Sequence, residues 1–99
     1  MQVKIHSLKF DADKKLEEFI ENKVNKLNQF YDDIISAEVI LKVDKDQSLE
    51  NKIAEIKLKI SGTELFAKKQ TKTFEESTDT AVDALRRQLT KFKEKQRGK

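Results

Sequence analysis

Apolar and polar residues alternate over residues 2–7, with Val3 and Ile5 on one side and Lys4 and His6 on the other, the period of a half-buried strand. The period then changes. Leu16, Phe19, Ile20, Val24 and Leu27 recur at spacings of three and four, and Asp13 stands where it can cap, so the pattern predicts a helix to about residue 30. Alternation returns over residues 36–44, placing Ala37, Val39, Leu41 and Val43 on one face and Glu38, Ile40 and Lys42 on the other, before a polar loop over 44–51. Residues 52–61 repeat it, with Ala54, Ile56, Leu58 and Ile60 inward and Glu55, Lys57 and Lys59 outward. Ser61-Gly62 supplies a tight hairpin turn into a fourth strand, from 63 to about 72, where Leu65 and Ala67 oppose Phe66, Lys68 and Gln70. Thr73-Phe74-Glu75-Glu76 reads as a capping box in which Thr73 and Glu76 satisfy each other's backbone amides. It opens a long final helix with the inward stripe Thr78, Ala81, Val82, Leu85, Leu89 and Phe92. The sparse apolar content at its start predicts packing beneath small side chains.

The predicted order is β-α-β-β-β-α, an α+β fold with a four-stranded sheet and two helices packed on one face. A helix separates strands one and two, which predicts a parallel pair joined by a right-handed crossover, whereas short links make strands two to four an antiparallel meander. Proline is absent, glycine occurs only at Gly62 and Gly98, and nothing reads as a linker or repeat, so residues 1–99 are expected to form one domain. Leu, Ile, Val and Phe number 28 of the 99 residues, enough to fold, while the 39% of charged residues demands a thin core. The last residues, about 93–99, are expected to form a basic end prone to fraying.

The chemistry is constrained by what is missing. Without cysteine there is no disulfide framework, thiolate metal site or cysteine nucleophile. No leader-like segment or apolar run of about 18 residues occurs, so a cytoplasmic location and no membrane partner are expected. His6, the single histidine, reads as a solvent-facing strand residue, and the acids lie on polar faces where burial cannot raise their pKa. Two glycines cannot make a phosphate-cradling loop. The sequence thus predicts no enzyme, no cofactor, no metal and no small-molecule substrate.

Basic surface remains. The net charge of +3 conceals an asymmetry: the stretch from Arg86 to Lys99 carries seven bases against the single acid Glu94, a net of +6, leaving −3 on everything before Arg86. This suits an anionic partner such as nucleic acid; it equally suits a helix with acids first and bases last, complementing its own dipole. Arg87, Lys91 and Lys95 fall at four-residue steps and form a ridge beside the Leu85, Leu89, Phe92 stripe, while Lys23 and Lys26, with Lys15 nearby, line an edge of the first helix. Guanidinium and ammonium groups so arranged match phosphate oxygens, although the spacing alone favours a solvated helix face. The open sheet face, with Lys42, Lys57, Lys59, Lys68, Ile40 and Phe66, is either a base-stacking platform or an ordinary soluble surface. The pair Phe30-Tyr31 reads as a core anchor.

These residues carry a resemblance over essentially the whole chain. The element order, Lys23-Val24-Asn25-Lys26-Leu27 leading into Phe30, and the run Ala81-Val82-Asp83-Ala84-Leu85-Arg86-Arg87-Gln88-Leu89-Thr90-Lys91-Phe92-Lys93-Glu94-Lys95 resemble the ribosome hibernation promoting factor family, also called ribosome-associated translation inhibitors. The resemblance implies a fold similar to double-stranded RNA-binding domains and a non-enzymatic role. It implies binding to the small ribosomal subunit between head and body, on ribosomal RNA where messenger RNA and the A- and P-site transfer RNAs would lie. Carried onto this chain, the implied RNA contacts are Lys23, Lys26, Arg87, Lys91 and Lys95, with Lys93 and Arg86 secondary because their helical phase turns them from the ridge. Ala84 stands where related proteins often carry a base and Glu75 where many carry a tyrosine, which implies a shorter ridge. The chain resembles the short form, which acts either with a separate ribosome-dimerising helper protein or on single ribosomes. The alternative is a protein-interaction module binding an acidic protein partner.

Overall fold

A computed structural model describes residues 1–45 and 49–97, the last two of these as backbone; the centre of the expected polar loop, residues 46–48, and residues 98–99 with the basic Lys99 lie outside the described residues. Strands β1 (Gln2–Ser7), β2 (Ile34–Val43), β3 (Lys52–Ile60) and β4 (Thr63–Thr71) form one sheet in that order. Helix α1 (Lys14–Asn25) connects β1 to β2, and helix α2 (Phe74–Arg97) follows β4, giving the expected β-α-β-β-β-α order. β1 and β2 pair in parallel, with Gln2 opposite Ser36 and Ile5 opposite Val39, because the intervening helix returns the chain to the starting edge. The other pairs are antiparallel, placing Val39 opposite Ile56 and Ile56 opposite Ala67. Gly62, at φ +82°, supplies the left-handed conformation of the tight β3–β4 turn.

Strand alternation sends every second side chain toward the helices. Val39 and Leu41 of β2 and Ile56, Leu58 and Ile60 of β3 are buried there with Ile20 and Val24 of α1 and Ala81, Leu85 and Leu89 of α2. Each buried Leu or Ile contributes roughly 1.5–3 kcal/mol, and Leu27, Ile34, Ala37, Ala54, Ala67 and Phe74 complete this layer between sheet and helices among the described residues.

Three local departures from the sequence expectation position the site. The first concerns α1, whose α-helical part stops at Asn25 and tightens into a 3₁₀ turn, Lys26–Gln29, instead of continuing as α-helix to about residue 30. The amides of Phe30 and Tyr31 both donate to the Leu27 carbonyl, at 3.0 and 3.2 Å, so the chain turns toward β2 while Leu27 stays buried. At the other end of α1 the expected cap is present, with the Leu16 amide donating to Asp13 Oδ1 at 2.8 Å.

The second is β2, which begins two residues early at Ile34 and shifts register before Ser36, turning Ile35 out to solvent. The third is the start of α2. Thr73 Oγ1 accepts from the Glu76 amide at 3.0 Å, as a cap should, but the Thr73 amide donates to Thr71 Oγ1 at 3.4 Å, so the strand supplies the return bond expected of Glu76. Nor is this end packed beneath small side chains. Phe74 is buried and stacks on Phe10 with ring centroids 5.0 Å apart. Buried Ser77 donates to the Lys52 carbonyl at 2.6 Å and lies 2.8 Å from Thr71 Oγ1, tying the helix to β3 and β4.

Candidate nucleic-acid interface

Each residue of α2 advances about 100° around the axis, so once Leu85 and Leu89 point at the sheet every other direction is set. Arg87, Lys91 and Lys95 start on the outermost line and drift toward the β4 side, where Gln88 Nε2 donates to the Phe66 carbonyl at 3.0 Å. Arg86 and Lys93 lie on the opposite flank, toward α1 and the 3₁₀ turn. There the Arg86 guanidinium lies 5.7 Å from the centroid of the Phe30 ring, and Lys93 borders a hollow with Gln29, Phe30, Thr90 and Glu94. The basic residues of α2 thus divide into two groups along one helix. Arg86, Arg87 and Lys91 border a shallow depression of about 590 Å3 with Ala84 and Gln88 on its wall; the small Ala84 side chain leaves that space open.

Charge compensation differs along the helix. Asp83 holds both arginines, with Arg86 Nη2 at 2.7 Å from one carboxylate oxygen and Arg87 Nη2 at 3.2 Å from the other. The hydrogen bond from Arg86, the largest influence, holds the Asp83 carboxyl below its ordinary value against an opposing desolvation, with the two guanidinium charges adding to the lowering. Lys91, Lys93 and Lys95 are exposed, and no acid lies within 4.0 Å of their ammonium groups among the described residues. These last turns carry three lysines against the single acid Glu94, which lines the same depression as Lys91 without pairing with any of them. On α1, Lys23 is half-buried, reaching Asp79 of α2 at 3.0 Å and lying 5.5 Å from the Phe19 ring, so its charge is partly engaged. That ion pair bridges the helices and sets Lys23 beside the α2 surface, while Lys26, at the head of the 3₁₀ turn, is exposed.

The lysines of the open sheet face have different surroundings. Lys42 Nζ lies 2.8 Å from Glu55, and Glu38 stands between Lys57 at 4.0 Å and His6 at 3.4 Å, because strand register sets Glu38 directly across from Lys57 and places Glu55 and Glu38 diagonal to Lys42 and His6. Phe66, about half exposed, is in register with Lys57 on this face, and no cation covers its ring among the described residues.

The pair Phe30-Tyr31 separates in the structure. Tyr31 packs edge-on against Phe92, with centroids 5.6 Å apart, and is the anchor. Phe30 is not: it is 38% exposed, because the 3₁₀ turn rotates it out of the α1 stripe. The sequence placed it in the core with Tyr31, since the apolar pattern gives no sign that the helix tightens at Lys26 and turns the ring outward.

Among the described residues no three metal-ligating side chains converge, and no helix is long and apolar enough to cross a membrane. Residues 3–97 match the family model described as Sigma 54 modulation protein / S30EA ribosomal protein. A ribosome hibernation promoting factor of Azotobacter vinelandii is 38% identical over 96 residues, covering 97% of this chain and 86% of that protein. A protein of the same name from Escherichia coli K12 is 33% identical, covering 96% of each chain. Among solved structures, a ribosomal subunit interface protein from Coxiella burnetii superposes with a TM-score of 0.84 at 22% identity, over 94% of this chain and 98% of that one. The N-terminal domain of Thermus thermophilus Protein Y gives 0.80 at 22% identity, over 93% and 99%. With the family model spanning nearly every residue and both named relatives aligned along almost the whole chain, this protein belongs to the Sigma 54 modulation protein / S30EA ribosomal protein family.

Proposed function

We propose that this protein is a ribosome hibernation factor. It binds small-subunit ribosomal RNA in the channel that messenger RNA and the A- and P-site transfer RNAs use, and holds idle ribosomes inactive by occlusion. The observation that carries this reading is the uncompensated charge of Lys91 and Lys95, in line with Arg87 on the outer face of α2, in a chain whose curated relatives bear the name ribosome hibernation promoting factor. Lys23 and Lys26 extend the contact onto α1, and Arg86 and Lys93 add a flank.

The mechanism is non-catalytic. A rigid helix presents guanidinium and ammonium groups at one-turn intervals, and phosphate oxygens replace the water around them, releasing condensed counterions. Asp83 holds Arg86 and Arg87 in place before binding, so little side-chain freedom is lost on contact. The occupied channel then excludes messenger and transfer RNA without any bond being made or broken. A separate ribosome-dimerising helper protein is a compatible partner.

Co-sedimentation with washed ribosomal subunits over a salt series tests the reading. Stoichiometric binding to the small subunit is expected, with a logarithmic salt slope of about −4 if about five bases neutralise phosphates. Failure to bind either subunit or whole ribosomes at low salt would overturn it. Binding to an acidic protein in the absence of RNA would favour an interaction module instead.

A further inference from the structure

Phe30 is a large apolar ring that the fold turns outward and then surrounds with groups suited to an aromatic ligand. It closes the 3₁₀ turn, so its backbone is fixed by the bond to Leu27, and Tyr31 beside it is anchored on Phe92. Arg86 lies over part of the ring at 5.7 Å, itself held by Asp83 at 2.7 Å, so ring and guanidinium form a preset pair. Beside them is a hollow of about 280 Å3 bordered by Gln29, Thr90, Lys93 and Glu94. Thr90 Oγ1 donates to the Arg86 carbonyl at 3.0 Å, which leaves its lone pairs free to accept.

We infer that Phe30 and Arg86 form a stacking site for one unpaired RNA base, at the flank of the phosphate-binding ridge. Every nucleobase has a π-face that stacks on an aromatic ring, and an arginine in the same stack adds a cation–π contribution. The base must be unpaired, because a duplex keeps its faces covered. Arg86 and Lys93 stand on the α2 side of the ring, with Glu94 also on the rim of the hollow, whereas Asp32 and Asp33 line a second hollow beyond Phe30 and Tyr31, so the phosphate of the stacked nucleotide enters from α2. Phe66, the other exposed aromatic on a lysine-bearing surface, lacks a covering cation among the described residues and lies on a face where acids alternate with bases. This inference rests on the ribosomal RNA reading and gives it one contact that reads a base face in place of charge.

The chain contains no tryptophan, so Phe30→Trp places a single indole at the site. Its emission is expected to fall on addition of single-stranded oligoadenylate or the small ribosomal subunit, and to stay constant with duplex RNA of equal charge. Phe30→Leu is expected to weaken small-subunit binding on the order of 5- to 100-fold, with unchanged salt slope and melting temperature, and Phe30→Tyr to restore it. Subunit binding by both variants with constant indole emission, or unaltered affinity of Phe30→Leu, would overturn the stacking site and leave the ribosome reading standing. Absence of subunit binding by the wild-type chain would remove that reading and the inference together.

Discussion

Two lysine-bearing surfaces, the outer face of α2 and the open face of the sheet, look equally basic in the sequence, and their surroundings separate them. On the sheet, cross-strand register sets Glu38 and Glu55 against Lys57 and Lys42, so the charges compensate each other where they stand. On the helix the acids gather in the first half and the bases in the second, Glu94 excepted, and no acid lies within 4.0 Å of the Lys91, Lys93 or Lys95 ammonium groups among the described residues. Positive charge becomes a binding surface when the fold keeps its counter-charges away. The number of lysines decides little; their neighbours across the strand or along the helix decide most of it.

The largest effect that separates the two surfaces is on ribosome binding. Arg87→Ala/Lys91→Ala is expected to lower small-subunit affinity at least about tenfold and to flatten the logarithmic salt slope by about two, while Lys57→Ala/Lys59→Ala leaves both unchanged. Co-sedimentation across a salt series reads the difference, and equal losses in the two double variants would erase it. Both sets lie on exposed positions, so stability should change by less than about 0.5 kcal/mol in either; a large drop in melting temperature would point to a structural role.

Next comes the frame that carries the ridge. Thr73→Ala removes the acceptor for the Glu76 amide, and loss of about 1 kcal/mol is expected in denaturant unfolding, with the salt slope of ribosome binding intact. A changed slope would mean that the cap shapes the interface directly. On the sheet, Lys42→Met breaks the ion pair with the largely buried Glu55, for a stability loss of up to about 1 kcal/mol and no change in binding.

The smallest effect concerns Asp83. Its folded carboxyl titrates below the ordinary value, so its stabilising contribution is present above the unfolded pKa and is lost as pH falls through the folded one. The melting temperature of Asp83→Asn should therefore lie slightly below wild type at neutral pH and converge with it in strong acid. A gap that widened on acidification would contradict the arginine contacts.

Much of the fold was legible because the period changes are sharp. Val3 and Ile5, then Ala37 to Val43, alternate over a half-buried face, and the Leu16-to-Leu27 stripe has no strand-like rival reading. What escaped were places where a tertiary partner overrides local pattern. Phe74 lies inside a capping signature and gives no hint that Phe10, far back in the chain ahead of α1, stacks on it. Ser77 is polar, and only the Lys52 carbonyl and Thr71 make its burial favourable. At the site, the four-residue steps of Arg87, Lys91 and Lys95 were visible, but Phe30 became legible only when the helix was seen to tighten at Lys26 and turn it outward.

The parallel pairing of β1 with β2 also bears on the order in which the molecule assembles. β3 and β4 meet across a tight turn and β2 joins β3 across a short loop, whereas Gln2 reaches Ser36 only after the whole of α1 and its connections have been drawn together. Closing that larger loop carries the greater entropic barrier, so the meander is expected to form before β1 docks. As a six-residue edge strand paired on one side only, β1 should exchange its amides with solvent ahead of those of the central strand β3.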